Sequence, residues 1–455
     1  MPSLCEWSER SFMLEMKPKN ELAALYVDCP PVTLKQEQNS DNTNDSDFDK
    51  ITEVVRVGDH YLELTEEEVV DDDSVHRKDS GVSSNCESCS RYYAFIEDVS
   101  LDPKTLSCFT WMDQNRLFMC RIKAVTEGQY LRPKTNARIE KEILSFVDIN
   151  EFVDDFKDEE KYIFCNECNS QIYVATPSTQ IAIMPSDKFL EDSSSSFDFY
   201  CRTVCGGHTF DTEKAYKEHE EKLKEFLPSS NKIVLSCSYL LICKDDIDEK
   251  FISFGETKQN VLCCSKCLVE IGYNMTQYQN CYKFYHSAVT FTSKSMMLTK
   301  NINRPRNFIE YKFETTERYF AYLLLSQSEN DGTSKVVVKS LEGKPHMFIW
   351  IYEPYVVMTS GSLKKKEDTS NDDESDHVKS FAALKVMYKI FDSDMAIYDS
   401  KAQGCDPSAG TLEMPQNACL KFMELLLINS HAFPPSFRLL GQFCVSFLKL
   451  NNIRQ

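Results

Sequence analysis

Two Cys-x-x-Cys motifs constrain this chain more than any other feature of its sequence. The first runs from Cys165 to Cys168 and the second from Cys264 to Cys267. A structural zinc ion is held by four ligands in a tetrahedral shell, and one such motif supplies only two of them. Together the two motifs supply all four, provided that the chain between them folds back. The sequence therefore predicts one zinc site that joins two distant segments of a large domain.

This predicted site is structural rather than catalytic or redox-active. Four cysteine ligands leave no open position at the metal for a substrate or an activated water molecule. A thioredoxin-like redox motif would need a βαβ setting. Short strand-like stretches flank the first motif instead, at residues 161–164 and 171–174. The pattern is typical of a zinc-binding hairpin.

Composition excludes several classes of function. The 455 residues carry a formal net charge of -20, which argues against direct nucleic-acid binding and against docking on anionic membranes. No apolar run approaches the roughly 20 residues of a transmembrane helix. The first residues lack the pattern of a secretory signal, and the cysteine count of 19 is odd. We therefore expect a protein of the cytoplasm, the nucleus or both, where thiols stay reduced or bind metal.

Periodicity predicts an α+β fold that is β-rich and mostly antiparallel, with the zinc-bound pair of motifs and disordered acidic insertions. Three regions are expected. Residues 1–130 form a β-rich region with an acidic insertion near residues 66–90. Residues 131–300 contain the two motifs, and residues 301–455 form a C-terminal α/β region with an acidic linker at residues 362–377.

Several elements can be assigned from local pattern. We expect hairpin strands at residues 108–112 and 117–122, an antiparallel pair at 336–338 and 347–352, and a strand at 381–391. Residues 140–156 read as an amphipathic helix, and residues 309–327 as a strand that continues into a helix. An apolar helix is expected at residues 420–429.

A loop between the motifs groups Cys201, Cys205 and His208 around two glycines. Such a group can ligate a metal or expose a thiolate. Free cysteine is also a common small buried hydrophobe. Both interpretations stay open on the residues alone.

Cys419 directly precedes the predicted helix at residues 420–429. The positive end of a helix dipole lowers the pKa of a nearby thiol, so this cysteine is a candidate nucleophile for thioester formation. The alternative, a cysteine packed into the core under the helix, is favoured by chemistry alone because no His or Asp partner can be assigned.

Taken in order, the motifs resemble those of the HECT-like ubiquitin ligases that bind a ubiquitin-conjugating enzyme (E2). The similar positions are Phe164 to Cys168, Cys201 to His208, Val261 to Cys267 with Gly272, Lys283 to Tyr285, Ala382 to Tyr388, Met414 to Cys419, Leu425 to Ile428, Pro435 with Ser436, and Phe447 to Lys449. The similarity covers most of the chain and is weaker before residue 122.

This resemblance implies a ubiquitin-protein transferase that accepts ubiquitin from an E2 and passes it to protein substrates. The run from Met414 to Cys419 looks like the Leu-Pro-x-x-x-Cys sequence before the nucleophile of HECT ligases, which makes Cys419 the candidate acceptor.

The resemblance also implies an alternative, non-catalytic function. The loop with Cys201, Cys205 and His208 is similar to a motif that inhibits the zinc-dependent endonuclease of mRNA 3′-end processing. A thiolate of this loop would bind the metal of that partner. In this alternative the protein is an inhibitor or chaperone of the endonuclease.

Overall fold

A computed structural model of the chain describes residues 6–29, 54–67, 89–114, 116–144, 148–187, 189–190, 221, 224–276, 278, 280–298, 307–365, 377–392 and 408–450. The chain forms two units. The first consists of residues 1–136, 351–388 and 426–455, and the second of residues 137–350 and 389–425. The three regions expected from the sequence stay a prediction.

Strands make up most of the regular structure. They are β1 (Ser11–Lys17), β2 (Leu22–Asp28), β3 (Val55–Val57), β4 (Tyr61–Glu67), β5 (Cys89–Glu97), β6 (Val99–Met112), β7 (Leu117–Thr126), β8 (Lys161–Cys165), β9 (Gln171–Ala175), β10 (Gln180–Ile183), β11 (Lys232–Leu235), β12 (Tyr239–Cys243), β13 (Ile252–Phe254), β14 (Val261–Cys264), β15 (Glu270–Asn274), β16 (Cys281–Tyr285), β17 (Val289–Ser293), β18 (Lys335–Lys339), β19 (Pro345–Ser362), β20 (Lys364–Lys365), β21 (His377–Lys379), β22 (Phe381–Ile390), β23 (Gly410–Glu413), β24 (Leu439–Leu440) and β25 (Phe443–Lys449).

Helices are fewer than strands. They are α1 (Asn136–Leu144), α2 (Ile149–Asp154), α3 (Lys294–Leu298), α4 (Phe308–Phe313), α5 (Thr316–Asp331) and α6 (Gln416–Ser430). Among the described residues, no helix combines the length and the apolar character needed to cross a lipid bilayer.

The first unit is built on two sheets. In one, the strands follow the order β24-β25-β22-β19-β1-β2-β7-β6, and in the other β20-β5-β4-β3 with β21 beside β5. Strand β7 shows why these residues form a sheet: Cys120, Ile122 and Ala124 are buried while the residues between them are exposed. Such alternation places every second side chain in the core.

The second unit is organised around a seven-stranded sheet with the order β10-β11-β12-β16-β15-β14-β13. Both faces of its central strands are buried. Leu240, Ile242 and Phe284 pack into one core cluster, which also includes Cys165 and Cys264. The alternate residues of these strands, among them Tyr239, Leu241 and Tyr285, pack into a second cluster on the opposite face. A smaller sheet, β17-β8-β9, carries the first Cys-x-x-Cys motif.

The predicted β-rich, mostly antiparallel architecture is confirmed. Three pairs are parallel, β10 with β11, β18 with β23, and β21 with β5, and antiparallel pairs are far more numerous among the described strands. The expected hairpin corresponds to β6 and β7, and the expected antiparallel pair to β18 and β19.

Helix boundaries account for the main differences. Residues 309–327 contain no strand but parts of two helices, α4 and α5. Residues 140–156 contain the end of α1 and all of α2 rather than one helix. Polar caps explain the division of the first pair. The side chain of Asn307 accepts a hydrogen bond from the Glu310 backbone N–H, and that of Thr315 accepts one from Arg318. Each cap begins a new helix.

Candidate metal centre and C-terminal helix

The two Cys-x-x-Cys motifs form the same turn twice. In the first, Asn169 donates a backbone hydrogen bond to the Cys165 carbonyl at 3.0 Å, and in the second Leu268 donates one to the Cys264 carbonyl at 2.8 Å. Both donors have a positive φ, 53° for Asn169 and 62° for Leu268. Each turn connects two adjacent antiparallel strands, β8 to β9 and β14 to β15. The hairpins fix the direction in which each pair of thiols points.

The four thiols converge on one point. The Sγ atoms of Cys165 and Cys267 lie 3.6 Å apart, and so do those of Cys168 and Cys264. All four ligand atoms lie within 4.8 Å of one another, and no other group of three or more His, Cys, Asp or Glu residues does so in the described parts of the chain. These four side chains can hold a metal ion, and all four are the ligands predicted from the sequence.

The protein environment shifts the pKa values of Cys165 and Cys168 in opposite directions. Burial raises the pKa of Cys165, which lies in the core cluster. Desolvation also acts on Cys168, but hydrogen bonds from Ser170, Cys267 and Cys264 together outweigh it and lower the pKa of Cys168 to about 6. The Ser170 hydroxyl lies 3.0 Å from the Cys168 sulfur and 3.2 Å from that of Cys264. Ser170 thus links the two motifs directly.

Both motifs also contact the first turn of α6. The Asn417 side chain donates a hydrogen bond of 2.9 Å to Glu167, which lies between the cysteines of the first motif. Glu270 follows the second motif by three positions and accepts a 2.7 Å hydrogen bond from the Gln416 backbone N–H. The beginning of α6 is therefore attached to each hairpin by one hydrogen bond.

Glu270 was not predicted as a site residue, yet it has the most distinctive environment near the motifs. Its side chain is buried, and its two carboxylate oxygens accept hydrogen bonds from the backbone N–H groups of Leu341, Glu342 and Gln416 at 3.1, 3.1 and 2.7 Å. A carboxylate at the first turn of a helix also interacts favourably with the helix dipole. Glu270 thus holds the N-terminus of α6 against the turn between β18 and β19.

Cys419 lies inside α6 rather than before it, because the helix begins at Gln416. Its side chain is fully buried, and its Sγ lies 3.5 Å from the Lys339 carbonyl and 3.6 Å from that of Met414. Burial, with the Glu270 carboxylate nearby, raises the pKa of Cys419. This direction is opposite to the lowering expected from the helix dipole, and its role as ubiquitin acceptor stays a prediction.

The second unit also contains a cavity of about 710 Å³, away from the candidate metal centre. Among its lining residues are Tyr239 and Tyr285, which belong to the core cluster on the face of the seven-stranded sheet opposite to Cys264. Neither Cys419 nor any of the four clustered cysteines lines it. This cavity is therefore not a cleft shared by the two cysteine sites predicted from the sequence.

The loop predicted at Cys201, Cys205 and His208 lies outside the described residues. The same holds for most of the two acidic insertions. These assignments, and the endonuclease interaction that depends on the loop, stay predictions.

Comparison with known proteins gives one match. A family model described as HECT-like ubiquitin-conjugating enzyme (E2)-binding matches residues 133–445. This span includes both Cys-x-x-Cys motifs, Glu270 and all of α6. No curated protein and no solved structure matches the chain.

Proposed function

The chain belongs to the HECT-like, E2-binding family, and on that premise we propose that it is a ubiquitin ligase. It binds an E2 that carries ubiquitin and promotes transfer of the ubiquitin to protein substrates. The observation that carries this proposal is the family match over residues 133–445, which supports a role in ubiquitin conjugation through contact with an E2.

The four clustered cysteines, in this proposal, hold a structural zinc ion. Bonds of about 2.3 Å from a tetrahedral zinc to four sulfurs would separate the sulfurs by about 3.8 Å. The Cys165–Cys267 and Cys168–Cys264 separations, 3.6 Å each, fit this value. Four thiolates fill the shell, so the ion would stabilise the paired hairpins and supply no Lewis-acid chemistry.

We place the docking surface for the E2 at the exposed ends of these hairpins. Leu268, the residue after the second motif, is 68% exposed although it is apolar. Its positive φ is also unfavourable for a leucine. Neither burial of the side chain nor the preference of the backbone therefore explains why a leucine occupies this position. An apolar side chain held on a rigid turn is a suitable anchor for a partner protein.

Replacing Leu268 with aspartate is therefore expected to weaken E2 binding at least tenfold, since a lost apolar anchor costs about 2 kcal/mol or more. The fold should persist because aspartate accepts a positive φ more readily than leucine. The measurement is affinity for a panel of purified E2 proteins by calorimetry or interferometry. Val125→Asp is the matched control, as Val125 is 49% exposed and lies outside the matched family span. Equal affinities of the two variants would remove the hairpin ends from the proposed interface, and failure of every E2 to bind the wild type would overturn the function itself.

Ubiquitin can pass to the substrate by either of two routes. In the first, Cys419 accepts it as a thioester, which requires the first turn of α6 to expose a sulfur that is fully buried in this structure. In the second, the protein orients the charged E2 and the substrate attacks the E2 thioester directly. The burial and raised pKa of Cys419 favour the second route.

Cys419→Ala is accordingly expected to retain most of its ability to discharge an E2 charged with ubiquitin. Non-reducing electrophoresis of a single-turnover reaction measures both discharge and any thiol-sensitive ubiquitin adduct. A reducible adduct that forms on the wild type and is lost in Cys419→Ala would establish the covalent route instead. Cys263→Ala serves as the control, because Cys263 is also buried but lies outside the cysteine cluster and α6.

A further inference from the structure

Two cysteines outside the candidate metal centre face each other in the seven-stranded sheet. Cys243 is the last residue of β12, Cys281 is the first of β16, and the two are direct partners in the antiparallel register. Both side chains are buried. Among the strand pairs of the described residues, these are the only two cysteines in such a position.

The hydrogen-bond pattern shows which type of pair they form. Two backbone hydrogen bonds flank the ladder between β12 and β16. Beyond the cysteines, Lys244 donates its N–H to the Asn280 carbonyl at 3.0 Å, and at the other end His286 donates to the Ser238 carbonyl at 3.1 Å. Hydrogen-bonded and non-hydrogen-bonded pairs alternate along an antiparallel ladder. Positions 238 and 244 belong to hydrogen-bonded pairs and are even, so position 243, which is odd, belongs to a non-hydrogen-bonded pair. The Cys281 carbonyl accepts a hydrogen bond from the backbone N–H of Met275, which directly follows β15 on the other side of β16. Cys243 and Cys281 are thus a non-hydrogen-bonded pair.

This type of pair has the spacing of a disulfide. Cα atoms of a non-hydrogen-bonded antiparallel pair lie about 4.5 Å apart, and disulfides join Cα atoms about 4.4–6.8 Å apart. The thiols are free and make weak contacts. The Cys243 sulfur accepts from the Asn280 side-chain amide at 3.4 Å, and the Cys281 thiol donates to the Tyr282 carbonyl at 3.9 Å. Side-chain rotation can therefore bring the sulfurs together without moving the backbone.

We propose that Cys243 and Cys281 form a dithiol site that reacts with small-molecule disulfides, of which glutathione disulfide is the model reagent, to give an intramolecular disulfide. One thiolate attacks the reagent, forming a mixed disulfide and releasing one glutathione thiolate. The second thiolate then attacks the protein sulfur of that mixed disulfide and releases the other glutathione. The two protons of the cysteines pass to the two released thiolates, so the protein is oxidised and the reagent is reduced.

The position of this disulfide in the chain connects it to the candidate metal centre. The disulfide would close the loop of residues 244–280, which contains both cysteines of the second motif. Burial raises the pKa of Cys281 to about 12, so little of this one thiol is ionised near neutral pH and its own attack on a disulfide is slow. The disulfide would keep the two ends of this segment together, at β12 and β16, whether or not a metal ion is bound by the cysteines of the second motif.

The test uses the full-length, zinc-loaded protein equilibrated in glutathione buffers of increasing oxidised fraction. After acid quenching, alkylation of free thiols and tryptic digestion, mass spectrometry should find peptide 233–244 joined to peptide 267–283 at the oxidising end. Fragment spectra identify the sulfurs, because these peptides also contain Cys237 and Cys267. Zinc content is measured in parallel.

Cys237→Ser is the matched control, since Cys237 lies on the same peptide and has no cysteine opposite it. This variant should keep the cross-link, whereas Cys243→Ser should lose it and carry at most a single glutathione on Cys281. The wild-type result decides the proposal even if a variant fails to fold. Two alkylated cysteines at every buffer composition, glutathione adducts alone, or a link through Cys237 or Cys267 would each overturn it.

Discussion

Cys264→Ser is expected to yield a protein that retains little zinc, unfolds at much lower denaturant concentration and no longer binds an E2. Cys264 is fully buried in the core cluster, and its sulfur lies 3.6 Å from that of Cys168. Structural zinc contributes about 10–16 kcal/mol to the folding of small zinc-finger peptides. Even part of this contribution would be large relative to the net stability of a domain, which is about 5–15 kcal/mol. Metal content by mass spectrometry and urea unfolding by circular dichroism measure the loss.

Cys263→Ser separates loss of the metal from loss of a buried cysteine. Cys263 precedes Cys264 and is also buried, but it packs into the cluster on the opposite face of the sheet. This variant should keep its zinc and most of its stability. If Cys264→Ser bound zinc and unfolded like Cys263→Ser, the four sulfurs would not be a metal site.

The second large effect is expected from Glu270→Ala. It leaves three backbone N–H groups without the carboxylate that now accepts their hydrogen bonds. An unsatisfied buried donor costs about 1–3 kcal/mol, so the free energy of unfolding should fall by about 3 kcal/mol or more. Hydrogen exchange should speed up in the first turn of α6, and denaturant unfolding gives the magnitude.

Glu167→Ala is the matched control for this variant. Glu167 also accepts a hydrogen bond from the first turn of α6, through Asn417, but its side chain is exposed. We expect it to cost about 1 kcal/mol or less. Equal destabilisation by the two substitutions would mean that burial of the Glu270 carboxylate does not hold the helix.

The sequence was sufficient to find the four clustered cysteines, because ligand type and spacing are local properties that chemistry constrains tightly. Glu270 could not be found in this way. A glutamate at the start of a strand usually faces solvent, and the groups that bury it lie about 70 and 146 positions further along the chain. Only the folded structure brings them to it.

Cys419 shows how a helix boundary can alter an interpretation. With the helix starting at residue 420, the cysteine sits at an open N-terminus. With the start at Gln416, Cys419 falls on the buried stripe of Phe422 and Leu426, at spacings of three and seven residues. This spacing is typical of the core-facing side of a helix. Pro415, directly before Gln416, is the local sequence signal for this earlier helix start.

The start of residues 309–327 alternates apolar and polar side chains, a pattern that predicts a strand. The Asn307-x-x-Glu310 pattern overlaps their start and resembles a helix-capping sequence, and the structure shows this cap. Capping residues outweighed strand propensity here because they satisfy backbone N–H groups that the propensity of single side chains does not address.

The separation of the two motifs along the chain also sets an order of assembly during synthesis. The sulfur pairs join positions 96 and 102 residues apart. At about 5–20 residues per second, the first hairpin leaves the ribosome about 5–20 s before the second exists. During that interval two thiols are available to ions and oxidants without their partners. The segment that becomes α6 follows later still, so the helix joins a centre that has already had time to form.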